Sequence, residues 1–379
     1  LTTRGRCENY TCILSETEIS SCTDCLDGCI NGGCQSNKEN IKNMLKYSDK
    51  EVFLISDKNW KDVLTFVPIA VWTGDENCQK GYETPNDVCT YPFLIFHEED
   101  NSFDIDSIIY FMQQYNPRSL TIIGKTSQEL DNLLITAPEL GAGLSSNQIK
   151  KINVSDYLDY WKDYESVVYV EDNYELALLA STYASLINAP LVVQGLNSDI
   201  SEIFLNRSVI CVGSVSSEGV SCGEQYNLEQ LQRKYIDYTK TDKIILLNPN
   251  DFNILVSDQF KPEKSSRNIN KLYSKTSLEA PILASSKHEL ILSTSSTNYK
   301  NIDNFIEEKI ESLAPYLFTK KYVGFLTIFA APNAIPYRED MGATPPYSNF
   351  RSLDHSEYGD FNGDKLPEFS VGRIQGMTL

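Results

Sequence analysis

ELALLASTYASLINAPLVV, residues 175–193, runs from a helix straight into a strand. Leu176, Leu179, Tyr183, Leu186 and Ile187 recur at helical spacing and mark an apolar face. Asn188-Ala189-Pro190 ends the helix, because proline lacks an N–H and pushes its predecessor out of the helical region. Leu191-Val192-Val193 is then a short buried strand. Upstream, Val167-Val168-Tyr169-Val170 reads as another strand. Asp172 follows it as a helix cap, with Glu175 closing a capping box. Downstream, after a short helix, Ser208-Val209-Ile210-Cys211-Val212 is a strand that stops at Gly213.

The same grammar occurs earlier in the chain. Val52-Phe53-Leu54-Ile55 is a buried strand, and Asp57 to about Trp72 is apolar at helical spacing, with Pro68 setting an early end or a kink. Tyr91 to Phe96 is a second strand, Asp104 to Tyr115 an amphipathic helix, and Leu120-Thr121-Ile122-Ile123 a third strand stopping at Gly124. Residues 127–135 read as a further helix. Asp57 matches Asp172, Pro92 matches Pro190, and Gly124 matches Gly213, so the two stretches read as an internal duplication. A third α/β stretch begins at Lys243-Ile244-Ile245-Leu246-Leu247. Ala280-Pro281-Ile282-Leu283-Ala284 reads as another strand opened by proline. Asn301 to Leu317 is an amphipathic helix with Ile302, Phe305, Ile306, Ile310 and Leu313 on one face. Residues 256–276 are polar and basic and read as a surface loop. Strands alternating with helices throughout predict parallel sheets.

The second copy, with its A-S-x-x-A helix, N-A-P and aliphatic strand, resembles the cell-wall-binding repeat 2 family over roughly residues 50–215. That resemblance implies repeated three-layer α/β units that attach proteins to envelope polymers. A second resemblance lies at the C-terminal end. Lys320 to Ala330 reads as a buried strand, a loop with Ile335-Pro336 follows, and then YGDFNGDKLPEFSVGRI, residues 358–374. This resembles the first half of a gingipain-type (C25, caspase-like) cysteine peptidase. In that family the catalytic His and Cys lie beyond the V-G-R-I strand, so the resemblance places them after Leu379 and carries no catalytic residue onto this chain.

The expected organisation is a Cys-rich cap at 1–45, a first α/β unit at 46–150, a second at 151–240, and a third at 241–379 leading into an incomplete C25-like domain. The fold class is α/β, with repeated three-layer parallel-sheet units, a small disulfide-rich cap and a partial caspase-like domain. For 379 residues, roughly two or three domains is the ordinary expectation.

Composition narrows the function. Forty-one per cent apolar and 22% charged residues suit a chain that buries real cores. A net charge of −19 repels phosphate backbones and anionic lipid, which argues against nucleic acid as a partner. The longest apolar run, Val323 to Ile335, is far short of the roughly 20 residues that span a bilayer. The chain begins at Leu1 without a leader, which is expected to have been removed or left out.

Ten cysteines are present: Cys7, Cys12, Cys22, Cys25, Cys29 and Cys34 crowd the N-terminus, followed by Cys78/Cys89 and Cys211/Cys222, each pair spaced by 11. Disulfides account for all of them. The N-terminal six carry only one C-x2-C and no neighbouring His, where zinc wants paired knuckles, so three bridges of open connectivity are the simpler reading. Disulfides persist outside the cytosol. The sequons at Asn9, Asn153 and Asn206 agree with an extracellular or cell-surface location.

Few constellations carry chemistry. Asp360, Asn362, Asp364 and Glu368 place oxygens at alternate positions of a Gly-containing turn, as calcium prefers, and the competing reading is an acidic turn that caps the strand. Of the three histidines, His97 reads as a strand-end surface residue, His288 as a packed or rim residue, and His355 sits in an acidic loop with no Cys after it. Phosphate loops and G-x-S-x-G are absent. Tyr157-Leu158-Asp159-Tyr160-Trp161 is the best candidate for an exposed aromatic cluster that could stack on sugar. The reading is an exported surface protein, structural or binding in role, whose partner is an envelope polymer or further copies of itself. The alternative is the N-terminal portion of an active gingipain-like peptidase.

Overall fold

Three aliphatic runs, each followed by a helix, open three parallel sheets in the computed structural model. The structure describes residues 51–73, 88–99, 102–104, 106–115, 117–136, 144–161, 164–196, 201–215, 220–254, 275–317, 324–336, 338–339, 353–354, 358 and 370–374, together with the backbone of short strands at 6–8, 11–14, 18–21, 29–30 and 33–34.

The first sheet holds Glu51–Ser56 (β1), Phe93–Glu99 (β2), Ser119–Ile123 (β3) and Ile149–Ile152 (β4) in the order β2-β1-β3-β4. All four are parallel, and Ser102–Asp104 adds an antiparallel edge to β2. The second holds Ser166–Val170 (β5), Leu191–Val193 (β6), Ser208–Val212 (β7) and Glu224–Tyr226 (β8), ordered β6-β5-β7-β8 and parallel throughout. The third holds Lys243–Leu247 (β9), Leu290–Ser293 (β10), Phe325–Phe329 (β11) and Ser370–Ile374 (β12), ordered β10-β9-β11-β12 and again parallel. One topology is therefore used three times: the first strand is central, the second lies on one side of it, and the third and fourth lie on the other.

The helices follow the same plan. Trp60–Ala70 (α1), Tyr174–Leu186 (α4) and Ala280–Lys287 (α7) each lead to the second strand of their unit. Asp106–Tyr115 (α2), Ser201–Phe204 (α5) and Tyr299–Leu317 (α8) each lead to the third. Gln128–Thr136 (α3) and Leu228–Thr239 (α6) complete the set. α1, α4 and α7 pack against one another, so the corresponding helix of every unit meets the other two. One apolar core consequently runs through all three units, from Phe53 and Val67 through Leu179 and Val193 to Ile245 and Ala284.

Strand alternation divides the rest. Phe53 and Ile55 face this shared core, while Val52 and Leu54 face a separate one roofed by Ile108 and Met112 of α2 and by Leu130 and Leu134 of α3. In the second unit Val168 and Val170 face the centre, and Val167 and Tyr169 meet Ile203 and Phe204 of α5.

α4 corrects one expectation. Its residues Ala177 through Leu186 are buried all round, because α1 and α7 cover the side that amphipathic spacing leaves to solvent. Ala177, Ala180 and Ala184 add little bulk there, and the hydroxyls are satisfied: Ser181 donates to Leu178 O, Thr182 to Leu179 O, and Ser185 to Val71 O. Residues 280–284 are another correction, since they open α7 rather than a strand. Proline in a first helical turn loses an N–H that has no intrahelical partner anyway, so Pro281 starts α7 where Pro92 and Pro190 precede strands. α1 carries Pro68 inside it and ends two residues later, the early end expected.

Candidate functional site

Each central strand runs out into an aspartate, and each aspartate is held from a different unit or by a residue that is. After β1, Asp57 Oδ2 accepts from Lys275 Nζ of the third unit at 3.1 Å. After β5, Asp172 Oδ2 accepts from Lys61 Nζ of the first unit at 2.6 Å. Beyond β9, Asp251 accepts from the Ser277 hydroxyl and the Ser277 N–H, both at 2.7 Å. The Ser277 hydroxyl in turn meets Tyr174 of the second unit at 2.7 Å. The contacts close a cycle: third unit to first, first to second, second to third.

Local sequence explains the positions. Asn59 caps α1 through the Lys61 N–H, and Asn173 caps α4 through the Leu176 N–H. This corrects the expected caps: Asp172 is drawn off to Lys61, and the Glu175 carboxylate accepts from Ser293 at the end of β10. Residues Lys275 and Thr276, read as surface loop, lie at the junction, with Thr276 and Ser277 buried. Lys275 adopts the left-handed conformation, φ +33°. Three rings seal the same end: the centroids of Trp60 and Tyr174 are 5.4 Å apart, and those of Tyr174 and Phe252 are 4.7 Å apart.

Burial sets the electrostatics. It raises the Asp251 carboxyl to about 6, against the pull of Ser277, the Phe252 N–H and Lys275. Burial raises Glu279 to about 7, reinforced by the charges of Asp57 and Asp251. Protein atoms surround the Glu279 carboxyl, although the residue retains some accessible surface. Tyr174 is pushed well above its ordinary range by burial. Such an arrangement can lock three units together and respond to protons.

His97 is a correction. It is 3% exposed, and its Nδ1 donates to Asp57 Oδ2 at 2.6 Å, so it orients the aspartate that receives Lys275. Nothing in its own sequence context, a strand followed by Glu98-Glu99-Asp100, signals that inward turn. The expected exposed aromatic cluster is overturned as well: Tyr157, Tyr160 and Trp161 are 0%, 8% and 5% exposed, and the two tyrosines pack beside Phe66 and Phe53. His288 sits half-buried at the end of α7, where its Nε2 meets the Thr73 hydroxyl at 3.2 Å.

Cys211 and Cys222 form a disulfide that ties β7 to the approach to β8. Cys89 is disulfide-bonded, while Cys78 lies outside the described residues. Cys7 faces Cys12, and Cys29 faces Cys34, in backbone register. The side chains of these four, and Cys22 and Cys25, lie outside the described residues, as do Asn9, His355 and the calcium candidates Asp360, Asn362, Asp364 and Glu368. Asn153 and Asn206 are exposed, and Asn206 takes a left-handed turn conformation, φ +58°. Among the described residues, no group of three or more His, Cys, Asp or Glu is arranged to hold a metal, and no helix is long and apolar enough to cross a membrane.

No protein-family model matches the chain, and no curated protein matches it. Among solved structures, Cwp8 from Clostridium difficile is similar at 14% identity with a TM-score of 0.45, over 75% of this chain and 51% of that one. The chain thus spans about half the length of that protein, and a likeness so distant assigns no role.

Proposed function

We propose that the protein is an exported scaffold that attaches to an envelope polymer, or to further copies of itself, at a cell surface. The observation that carries this reading is repetition: three sheets of one strand order share a single core through their corresponding helices. A platform of this kind presents surface rather than a reaction centre. The disulfides at Cys211–Cys222 and at Cys89 support an oxidising exterior. The resemblance of residues 50–215 to cell-wall-binding repeats supports the polymer. The shared strand order also supports reading residues 243–374 as a third unit of the same kind.

The test is co-sedimentation of the purified chain with envelope material from its source, before and after removal of polysaccharide. Pelleting that disappears with the polysaccharide is the expected result. A chain that stays in the supernatant throughout, with no self-association, would sink the proposal.

The second reading, the leading part of a gingipain-like peptidase, is favoured by one observation: β11 and β12, the two strands of the resembled motif, lie side by side and parallel. A His followed by an unpaired Cys in sequence continuing beyond Leu379 would favour it.

A further inference from the structure

The sequons at Asn153 and Asn206 both lie on the surface, and the fold treats them differently. An N-x-[ST] sequon offers two groups, the asparagine amide that takes the sugar and the hydroxyl two residues on.

At Asn153 one carboxylate engages both. Asn153 Nδ2 donates to Asp156 Oδ2 at 3.1 Å, and the Ser155 hydroxyl donates to Asp156 Oδ1 at 3.0 Å. The Asn153 backbone N–H donates to Oδ2 as well, at 3.1 Å. An ionised carboxylate only accepts, so the amide must turn its nitrogen to Asp156. Asn153 and Asp156 are the cap and the third residue of the helical turn Val154–Tyr160, which the buried rings of Tyr157 and Tyr160 pin to the first unit.

At Asn206 the same groups are open. Asn206 and Ser208 are exposed, and among the described residues neither side chain makes a hydrogen bond. Leu205, just before them, is 66% exposed, so the turn between α5 and β7 stands clear of the fold. Asn206 holds φ +58°, a left-handed geometry that asparagine tolerates better than most residues. Arg207 anchors the middle of the sequon: its N–H donates to Phe204 O at 3.2 Å, and its guanidinium lies 4.6 Å from the Tyr164 ring centroid.

We propose that Asn206 accepts N-linked sugar on the folded chain and that Asp156 withholds Asn153 from the same modification.

In the transfer, the Asn206 amide nitrogen bonds to the anomeric carbon of a lipid-pyrophosphate-linked oligosaccharide. The bond from that carbon to the pyrophosphate oxygen breaks, the lipid pyrophosphate leaves with the electron pair, and the amide gives up a proton. Ser208 opens β7 beside Ser166, which opens β5, so the sugar stands at the end of the second sheet opposite the Asp172 turn. The three-unit junction stays uncovered.

The chain made without glycans is folded and incubated with an oligosaccharyltransferase and a lipid-linked oligosaccharide. The conditions are those in which the same chain, reduced and unfolded, takes sugar at both Asn153 and Asn206. Peptide mass spectrometry reads each site. A cap of ordinary strength keeps its side chain engaged roughly five times as often as free, so Asn206 should be modified at least about five-fold faster than Asn153. Asp156→Ala, which releases the amide and the hydroxyl together, should speed Asn153 by a similar factor and leave Asn206 unchanged. Equal rates at the two sites, an unmodified Asn206 on the folded chain, or an Asp156→Ala variant with Asn153 no faster would each overturn the proposal. The outcome depends on neither export nor polymer binding, so it stands apart from the scaffold reading.

Discussion

Gly124 and Gly213 stand at corresponding points of two units and share one conformation. Both have φ +84°, and each donates its N–H at 2.8 Å to the last residue of the fourth strand, Ile152 or Tyr226. Each ends a third strand with a turn that L-residues avoid. A Cβ on Gly124 would meet nothing nearer than Val154 at 3.6 Å, whereas one on Gly213 would lie 2.5 Å from Glu171 Oε2 and 2.7 Å from Leu176 Cδ1. Gly124→Ala should cost about 1 kcal/mol from backbone strain, and Gly213→Ala about 2–3 kcal/mol, because crowding is added. Urea unfolding of the two variants gives the difference, and equal losses would contradict the packing at Gly213.

The disulfide between Cys211 and Cys222 closes a separation of 11 residues, with Cys211 fully buried on β7. Reducing it should lower stability by about 3 kcal/mol in the chain-entropy account. Thermal unfolding with and without a reductant measures this. Under native, non-reducing conditions, alkylation followed by mass spectrometry should find Cys89, Cys211 and Cys222 unlabelled.

Asp251 supplies a pH dependence of its own. Its carboxyl rises from 3.8 to about 6 on folding, so the folded state binds its proton more tightly than the unfolded state. That contribution is fully present at acid pH and is lost as pH rises from about 4 through about 6. The loss is on the order of 2–3 kcal/mol. Asp251→Asn should flatten the fall in Tm over that range, while lowering Tm at acid pH through the weakened Ser277 contacts. A variant whose Tm keeps the wild-type slope would remove Asp251 from the account.

Asp360, Asn362, Asp364 and Glu368 alternate as calcium ligands do. With the ion held in that turn, chelation by EDTA should lower Tm. The double change Asp360→Asn with Asp364→Asn should abolish the EDTA effect, because it removes two of the anionic ligands and keeps their size. An unchanged Tm on chelation of the wild-type chain would remove calcium.

Much of the architecture was legible because it is written locally. Val167–Val170, Leu191–Val193 and Ser208–Val212 are strands where the aliphatic runs place them, and the matches Asp57–Asp172, Pro92–Pro190 and Gly124–Gly213 recur as the same turns and strand starts. The proline signal misled at Pro281, since it is compatible with a first helical turn as well as with a strand start. The aromatic signal misled at Tyr157, Tyr160 and Trp161, since ring content alone does not say which neighbour covers it.

The amino-acid order by itself determined the alternation of strands and helices, the repeated grammar and the acidic, cysteine-rich character, because periodicity, turn chemistry and composition act over a few residues. Only the tertiary structure decided that α1, α4 and α7 meet, that His97 turns inward to Asp57, and that Lys61, Tyr174 and Lys275 link the units in a cycle. Those pairings join residues as distant along the chain as Asp57 and Lys275, and they arise from which apolar faces bury one another, a choice no local pattern encodes.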